Sequence, residues 1–303
     1  MSVTISEAVK YIGVDDKTID LFESQYVVPH GVSYNSYLIF DEKVALMDTV
    51  DARGMEQWEK NLLAALDGRK VDYLIVSHLE PDHAGSIGRL VELFPEVTLV
   101  GNAKTFQMLP QFFDELPVDE NHKITVAEGE SLSLGTHTLN FYMAPMVHWP
   151  EVMVTYESSE KILFSADGFG KFGALDYEDP EGWACEARRY YFNIVGKYGA
   201  PVQALLKKAA GLDIQTICPL HGPVLKENLG YYIGLYDTWS SYKPEDKGVL
   251  VAYASIHGNT AHAAKTLKGK LEKKGAQVTM CDLTVTDLSY AVTSAFYCGK
   301  LVL

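Results

Sequence analysis

Ser77-His-Leu-Glu-Pro-Asp-His-Ala-Gly-Ser86 is the stretch of sequence that restricts the fold and the chemistry most strongly. It directly follows the apolar run Asp72–Val76, which has the length and composition of a short buried strand. Within six positions it places two imidazoles and two carboxylates, on His78, Glu80, Asp82 and His83. A loop at the carboxyl end of a strand is where an α/β scaffold can bring such groups to one point. The stretch therefore predicts a metal site on an α/β scaffold.

Three later residues could complete this site, because each follows a strand-like run: His148 in MVHWPE, Asp167 in LFSADGFG and His221 in CPLHGP. Taken singly, each has an ordinary structural explanation, since histidines are often satisfied packing residues and aspartates often open turns. Taken together with the first four, they supply enough ligands for two metal ions.

The composition narrows the possible partners. The chain has 303 residues and a formal charge of -14, which disfavours contact with nucleic acid or anionic lipid. It contains no apolar run long enough to span a bilayer, and its first residues lack the continuous apolar segment of a secretory signal, so we expect a cytoplasmic protein. The four cysteines form no C-x-x-C pair, which indicates neither a disulfide framework nor a thiolate metal site.

Hydrophobic periodicity predicts two units of α/β type. The first is residues 1–243, in which strand-like and helix-like patterns alternate. Its expected strands are Val32–Phe40, Lys43–Thr49, Asp72–Val76, Val97–Val100, Lys123–Ala127, Ser131–Ala144, Val152–Glu157, Lys161–Ser165 and Thr216–Leu220. Its expected helices are Met55–Leu66, Ala84–Leu93, Lys104–Phe113, one within Glu181–Tyr198, and Leu229–Tyr242.

The charged, proline-containing segment Lys243–Gly248 has the composition of a boundary between compact units. The second unit, residues 248–303, shows a βαβ pattern. Its expected elements are a strand at Gly248–Ala254, a helix at Thr260–Lys274, a strand at Gln277–Leu283, a weaker helix at Asp287–Ala295 and the start of a strand at Leu301–Leu303.

Two loops have the composition of phosphate-binding loops. Ala252–Thr260, AYASIHGNT, follows a strand and opens a helix, so Ser255, His257, Gly258, Asn259 and Thr260 could offer N–H groups and hydroxyls to a phosphate. Gly168–Gly173 matches the dinucleotide pattern G-x-G-x-x-G, but ALDYEDP follows where a helix should open. We interpret the second loop as turn backbone beside the metal site.

The spacing H-x-E-x-D-H, followed by His148, Asp167 and His221-Gly-Pro, resembles the flavodiiron proteins, also called A-type flavoproteins, over Val32–Pro223. The resemblance implies a metallo-β-lactamase-like αββα sandwich followed by a partial flavodoxin-like doubly wound domain. It also implies one iron on His78, Glu80 and His148, and a second on Asp82, His83 and His221, with Asp167 bridging them. The loop at Ala252–Thr260 resembles the phosphate loop of flavodoxins, which implies FMN.

Glu80 favours redox chemistry over hydrolysis. The wider superfamily is dominated by zinc hydrolases with the pattern H-x-H-x-D-H, and Glu80 stands where those enzymes have a second histidine. An anionic oxygen in place of a neutral nitrogen suits iron or manganese better than zinc. The alternatives are a zinc-dependent hydrolase of the same fold and a non-catalytic diiron sensor of dioxygen.

The resemblance implies an oxidoreductase that reduces dioxygen to water or nitric oxide to nitrous oxide. It further implies a head-to-tail homodimer and a separate electron donor, such as rubredoxin or a flavin/NADH reductase, since the chain has no rubredoxin-like pair of C-x-x-C motifs. Candidate residues for orienting the oxidant or delivering protons are His30, Tyr34, Trp149 and Tyr191, although each could equally serve packing.

The second unit is short for the fold it resembles. Residues 248–303 make 56 residues, whereas a self-standing domain of this kind needs on the order of 100 to 150. In the strand order 2-1-3-4-5 the sequence reaches only the third strand. We therefore expect a fragment of a longer chain that holds FMN weakly or not at all, with Leu301–Leu303 as an unpaired apolar edge.

Overall fold

The computed structural model describes residues 3–113, 116–180 and 182–303. Most strands in this part of the chain are short. In chain order they are β1 (Val3–Thr4), β2 (Val9–Tyr11), β3 (Val14–Asp16), β4 (Leu21–Phe22), β5 (Tyr26–Val27), β6 (Val32–Tyr34), β7 (Tyr37–Phe40), β8 (Val44–Met47), β9 (Tyr73–Ile75), β10 (Thr98–Gly101), β11 (Lys123–Thr125), β12 (Ser131–Ser133), β13 (Thr138–Met143), β14 (Met153–Glu157), β15 (Ile162–Phe164), β16 (Thr216–Cys218), β17 (Asp246–Tyr253), β18 (Val278–Asp282) and β19 (Cys298–Val302).

The α-helices of the described residues are α1 (Met55–Leu66), α2 (Pro81–Ala84), α3 (Ile87–Leu93), α4 (Ala103–Met108), α5 (Trp183–Tyr190), α6 (Gly199–Ala209), α7 (Leu229–Ser240), α8 (Asn259–Glu272) and α9 (Leu288–Tyr297). Helix α5 continues into a π-helical turn at Tyr191–Val195. None of the helices in the described residues combines the length and the apolar character that crossing a bilayer requires.

Two sheets form the centre of the first unit. The larger has the order β1-β2-β7-β8-β9-β10-β11, and the smaller has the order β12-β13-β14-β15-β16. Side chains from both sheets share one buried core, in which Met47 and Ile75 of the larger sheet accompany Phe141 and Phe164 of the smaller. Successive strand residues point to opposite faces. The sheets are therefore stacked face to face.

Helices cover the outer faces of this pair of sheets. Trp58 and Leu62 of α1 pack in a buried cluster with Leu46 and Leu74, which alternate with the residues of the inter-sheet core. Val202 of α6 belongs to the same outer cluster. The arrangement is an αββα sandwich, as the resemblance implies.

The remaining strands form smaller sheets, and the C-terminal sheet has the order β18-β17-β19 with all pairs parallel. Strand β17 begins at Asp246, inside the segment expected to be a linker. Leu301 lies opposite Leu250 and Val302 opposite Val251, so the expected third strand pairs with β17 on one side, and β19 forms the edge of the sheet on the other.

Several expected elements are interrupted, and each interruption has a physical cause. The expected strand Val32–Phe40 is two strands, because the Asn35 side chain turns to donate to the carbonyl oxygens of Pro219 and Gly222. The expected strand Ser131–Ala144 is a hairpin whose turn contains Gly135 with a φ of +132°, a conformation that favours glycine. The expected helix Ala84–Leu93 is two helices, α2 and α3, with Gly85 and Ser86 between them.

Candidate metal centre

The SHLEPDHAGS stretch forms a loop after β9 and the short helix α2. Pro81 occupies the first helical position, where its missing N–H costs nothing, and this places Asp82 and His83 in the first turn. The Asp48 carboxylate fixes the start of the loop by accepting from the backbone N–H groups of Ser77 (2.7 Å) and His78 (3.3 Å). The chain therefore presents all four potential ligands from one segment whose start is fixed by hydrogen bonds.

The later ligands come from one edge of the smaller sheet. Strands β13 and β15 are both antiparallel to β14, and β15 is parallel to β16, so their carboxyl ends lie at the same edge. His148, Asp167 and His221 follow these three strands. The structure brings all seven sequence-predicted metal ligands together at this edge.

The seven side chains divide into two groups, and Asp167 stands between them. Its Oδ2 lies 3.4 Å from His78 Nε2 and 3.1 Å from His148 Nε2. Its Oδ1 lies 3.2 Å from His83 Nε2 and 3.7 Å from His221 Nε2. A carboxylate with one oxygen in each group has the geometry of a bridging ligand.

Each group has a carboxylate of its own. Glu80 Oε2 lies 3.0 Å from His148 Nε2 and 3.2 Å from His78 Nε2. Asp82 Oδ2 lies 3.1 Å from His221 Nε2 and 3.3 Å from His83 Nε2. The first group is His78, Glu80, His148 and Asp167, and the second is Asp82, His83 and His221; within each group the ligand atoms lie within 4.8 Å of one another.

The buried polar atoms of this cluster fit a pair of metal ions. Both carboxylate oxygens of Asp82 and Asp167, and the Nε2 atoms of His83, His148 and His221, are buried without a hydrogen-bond partner. Buried polar atoms normally have partners, so this concentration requires an explanation, and metal coordination supplies one. Oxygen and imidazole ligands with two carboxylates in the first group suit iron.

The charges of the cluster stabilise one another. Burial lowers the pKa of His148, but the carboxylates of Asp167 and Glu80 outweigh it and raise that pKa to about 9. Burial raises the pKa of Asp167, but the imidazoles of His83 and His148 hold it well below its usual value. The site therefore keeps Asp167 in the anionic form that a metal ligand needs.

Residues behind the ligands orient two of the imidazoles. Glu151 is fully buried, and its Oε1 accepts from His78 Nδ1 (2.7 Å) and from the Leu79 backbone N–H (2.9 Å). His221 Nδ1 donates to the Ser33 carbonyl oxygen at 2.7 Å. These bonds leave the Nε2 atoms facing the metal positions. Sequence reasoning missed Glu151, although it lies three residues after His148 in MVHWPE.

A pocket of about 410 Å³ opens in front of the cluster. Glu80 and Asp82 form its floor, and Tyr34, Phe22 and Glu23 form part of its wall. Partial desolvation and the neighbouring Glu80 carboxylate raise the pKa of Glu23 to about 8. The pocket gives a small molecule and protons access to the ligand groups.

The structure places the other candidate residues in different settings. Tyr34 is buried, lines the pocket and contacts the His221 ring, with a centroid distance of 6.1 Å. Trp149 packs edge-on against His78 at 5.2 Å. His30 is exposed and stacks on Tyr177 at 3.7 Å, outside the residues that line the pocket.

Tyr191 is not brought to the cluster. Its ring packs against Phe192, Tyr236 and Trp239. The neighbouring Tyr190 faces the centre instead: its ring lies 5.4 Å from that of His221, and its hydroxyl is buried without a partner. Burial, followed by the charge of Asp167, raises the pKa of Tyr190 well above its usual value. Sequence spacing cannot distinguish two adjacent tyrosines, because only the helix rotation decides which one points inward.

The loop expected to bind a phosphate lies at the carboxyl end of β17 and the start of α8. It is largely exposed, Gly258 has a φ of +85°, and the Gly258 N–H donates to Ser255 Oγ at 3.1 Å. Asn259 and Thr260 begin the helix, so their N–H groups lie at its positive end. This arrangement fits a phosphate group.

The second glycine-rich loop is turn backbone, in agreement with the interpretation of its sequence. No helix opens between Gly168 and Gly173, and the Gly170 N–H donates to the Asp167 carbonyl oxygen at 3.1 Å. A Cβ on Gly170 would lie 3.2 Å from the Tyr190 ring and 3.4 Å from His221 Cβ. Glycine therefore allows Tyr190 and His221 to pack close to the loop that carries Asp167.

An αββα sandwich with a two-group ligand cluster at the edge of its sheets defines a metallo-β-lactamase-like protein. Residues 32–222 match a family model described as ODP family beta lactamase. The chain is 34% identical to the nitric oxide reductase of Moorella thermoacetica, over 94% of this chain and 72% of that protein.

Solved structures of flavodiiron-type proteins also superpose closely on this chain. The flavodiiron protein from Giardia intestinalis superposes with a TM-score of 0.90 at 27% identity, covering 97% of this chain and 72% of that one. Rubredoxin oxygen:oxidoreductase from Desulfovibrio gigas superposes with a TM-score of 0.92 at 27% identity, covering 99% of this chain and 76% of that one. The chain belongs to the flavodiiron protein family. It spans about half the length of the diflavin flavoproteins of Synechocystis and Nostoc that it also matches.

Proposed function

We propose that this chain is the diiron part of an oxidoreductase that reduces dioxygen to water, nitric oxide to nitrous oxide, or both. The observation that carries the proposal is the position of Asp167, whose two oxygens face two separate groups of ligand atoms. Reduction of dioxygen takes four electrons and four protons, and reduction of two nitric oxide molecules takes two of each. The names of the relatives from Moorella and Desulfovibrio support both substrates.

The metal ligands in this proposal are the two groups described above. Two ferrous ions, when bound, would supply two electrons and neighbouring positions for a diatomic molecule. Glu80 and Asp82 would supply each ion with an anionic oxygen of its own, and Asp167 would offer one oxygen to each. Glu80 distinguishes the site from the imidazole-rich pattern of the zinc hydrolases, which have a second histidine at its position.

Protein groups around the cluster provide orientation and protons. The Tyr190 hydroxyl is buried and unpartnered on the side of Asp167, so it can donate a hydrogen bond to a molecule bound there. Tyr34 and Glu23 line the pocket that connects the cluster with solvent. Protons consumed in the reaction therefore have a polar entrance at the front of the site.

Electrons are proposed to come from FMN and an external donor. Ser255, His257, Gly258, Asn259 and Thr260 are the proposed contacts of the FMN phosphate, and we still expect this chain alone to retain FMN weakly. The name of the Desulfovibrio relative includes rubredoxin, which supports a rubredoxin-type donor. A head-to-tail homodimer remains part of the proposal.

The test combines metal analysis with dioxygen and nitric oxide electrodes, under a supplied reductase and rubredoxin. We expect two iron ions per chain and sustained consumption of at least one gas. The Asp167→Asn variant should lose turnover, while Glu157→Gln, a buried carboxylate remote from the cluster, should keep it. Zinc with ester hydrolysis in the absence of reductant would establish the hydrolase alternative. A spectral change in air that reverses under argon, without consumption, would establish the sensor.

A further inference from the structure

A second cavity lies behind the metal centre, between helix α6 and strands β14 and β15. It offers about 20 Å³ of space to the centre of a water-sized particle, which exceeds the roughly 10–15 Å³ that one water needs. Its walls are almost entirely apolar and include Val202 and Leu206 of α6, Val154 of β14 and Leu163 of β15. The cavity is therefore large enough for a small molecule and lacks the polar surface of the front pocket.

The inner end of this cavity adjoins the ligand-bearing loops. Val147, which lines it, precedes His148 in the chain. Gly168 and Phe169, which also line it, follow the bridging Asp167. Its outer end is formed by half-buried leucines of α6 and the loop that follows it. The cavity thus extends from near the surface to the backbone that carries two ligands of the first group.

The few polar groups of the cavity are already occupied. Ser165 Oγ donates to the Gly168 carbonyl oxygen at 2.6 Å, and the Tyr236 hydroxyl accepts from the Phe169 N–H at 2.6 Å. Lys208 Nζ donates to the Met143 carbonyl oxygen at 2.8 Å. None of the described lining residues leaves a buried side-chain nitrogen or oxygen without a partner. A water molecule needs two to four polar partners, so this cavity favours an apolar guest.

We propose that this cavity binds one molecule of a small, nearly apolar gas, dioxygen or nitric oxide, beside the metal centre. The choice of gas rests on the proposed function, whereas the apolar character of the guest rests on the cavity itself. A diatomic gas gains dispersion contacts from the aliphatic walls and sacrifices little hydration. The front pocket is lined by Glu23, Asp51 and Arg53, which favour water and protons. The two openings therefore separate the gas from the protons that reduction consumes.

Xenon pressurisation of crystals of the full chain tests the binding site independently of turnover. We expect one xenon atom between α6 and β14, and its loss in Val202→Leu, which places an additional methylene in the cavity. Val154→Ala enlarges the cavity and should retain the xenon. Val91→Leu, the same substitution at a buried position of α3 outside the cavity, is the matched control. Absence of xenon from the unchanged protein, or undiminished xenon in a folded Val202→Leu variant, would overturn the proposal.

Steady-state kinetics test whether the bound gas reaches the metal centre. With iron-loaded protein and a fixed reductase, Val202→Leu should raise the KM for dioxygen several-fold and affect kcat less, whereas Val91→Leu should leave both unchanged. Loss of the xenon site without any change in KM would refute delivery through this cavity. Xenon binding in a protein that consumes neither gas under any reductant would contradict the proposed function and leave the binding site intact.

Discussion

Glu151 determines the orientation of the His78 imidazole. It is fully buried between the loop after β9 and the loop after β13, and it accepts hydrogen bonds from both His78 Nδ1 and the Leu79 N–H. A carboxylate in this position holds the tautomer in which Nε2 faces the other groups of the cluster, and it increases the basicity of that nitrogen. The first ligand group is therefore positioned by a residue that lies outside it.

The Glu151→Gln variant should bind metal at the first group about 10- to 100-fold more weakly, because the neutral amide is a poorer acceptor for His78. A competition titration with a chelator of known affinity measures this change. Glu157→Gln serves as the control, because Glu157 is equally buried but accepts from the backbone N–H groups of Ser159 and Glu160. Equal metal affinity in the two variants would show that Glu151 does not act through His78.

Tyr190 and Tyr191 differ in orientation, and this makes them a matched pair. Tyr190→Phe removes the only buried hydroxyl that approaches the cluster from α5 in the described residues, so we expect kcat for gas reduction to fall at least about 10-fold. Tyr191→Phe alters a ring cluster remote from the metal ligands and should affect the Tm more than kcat. Steady-state electrode assays of both variants, with metal content measured, make the comparison. A larger loss of kcat in Tyr191→Phe would reverse the assignment.

At the scale of elements, Asp41 connects the two sheets. It lies in the turn between β7 and β8, and its Oδ2 accepts from the His137 N–H (2.6 Å) and His137 Nδ1 (2.9 Å) in the turn between β12 and β13. Burial raises the pKa of Asp41, but these hydrogen bonds outweigh it and lower that pKa from 3.8 to about 2. Folding therefore favours the ionised form of this carboxyl.

The Asp41→Asn variant should be about 1.5–3 kcal/mol less stable than the parent at pH 7, since hydrogen bonds to a charged group are lost. Because the folded pKa lies below the unfolded value, this contribution is complete above about pH 4 and disappears as the pH falls towards 2. Urea denaturation at pH 7 and pH 2.5 measures both differences, with Asp20→Asn at an exposed position as the control. A difference that is independent of pH would contradict the assignment to the Asp41 charge.

Some of the strands and helices can be predicted from the sequence, and others cannot. The ligand spacing and the apolar runs predict the positions of β9, β10, β14, β15 and β16, because buried strands between turns have a clear pattern. They do not predict helix α6, although Val202, Leu205 and Leu206 have helical spacing, because Gly199 and Pro201 suggest a loop. The break at Asn35 depends on carbonyl oxygens of Pro219 and Gly222, almost two hundred residues later in the chain. Such long-range hydrogen bonds leave no local signal.

In the candidate site, too, some residues can be predicted from the sequence and others cannot. The sequence predicts its seven ligands because several metal-binding residue types occur at fixed spacing, and the structure brings them together. It does not predict Glu151 and Tyr190, because their roles depend on which way one loop and one helix face. Residue type and spacing therefore indicate the ligands themselves, whereas the groups that orient them require the fold.

At the scale of the whole molecule, the proposed metal centre combines side chains from both sheets. His78, Asp82 and His83 extend from the larger sheet, and His148, Asp167 and His221 from the smaller one. In this region the facing carboxylate oxygens of Asp82 and Asp167 and the facing Nε2 atoms of His83, His148 and His221 are buried without a hydrogen-bond partner. Metal ions at the proposed positions would satisfy these atoms and join loops that are distant in sequence. Stability of the sandwich and occupancy of the site are therefore coupled.

Removal of the metal should lower the Tm of the chain, and ferrous iron should restore it. Ligand binding to the folded state alone contributes about 4 kcal/mol when the free metal exceeds its Kd a thousand-fold. Calorimetry of chelated and reconstituted protein measures the shift, and Asp167→Asn should abolish most of it. Hydrogen exchange shows which segments the metal stabilises. Adding ferrous iron should increase protection in α2 and in the loops after β13, β15 and β16, while protection in α8 and β18 should remain unchanged. A uniform change across the chain would mean that the metal does not act by joining these loops.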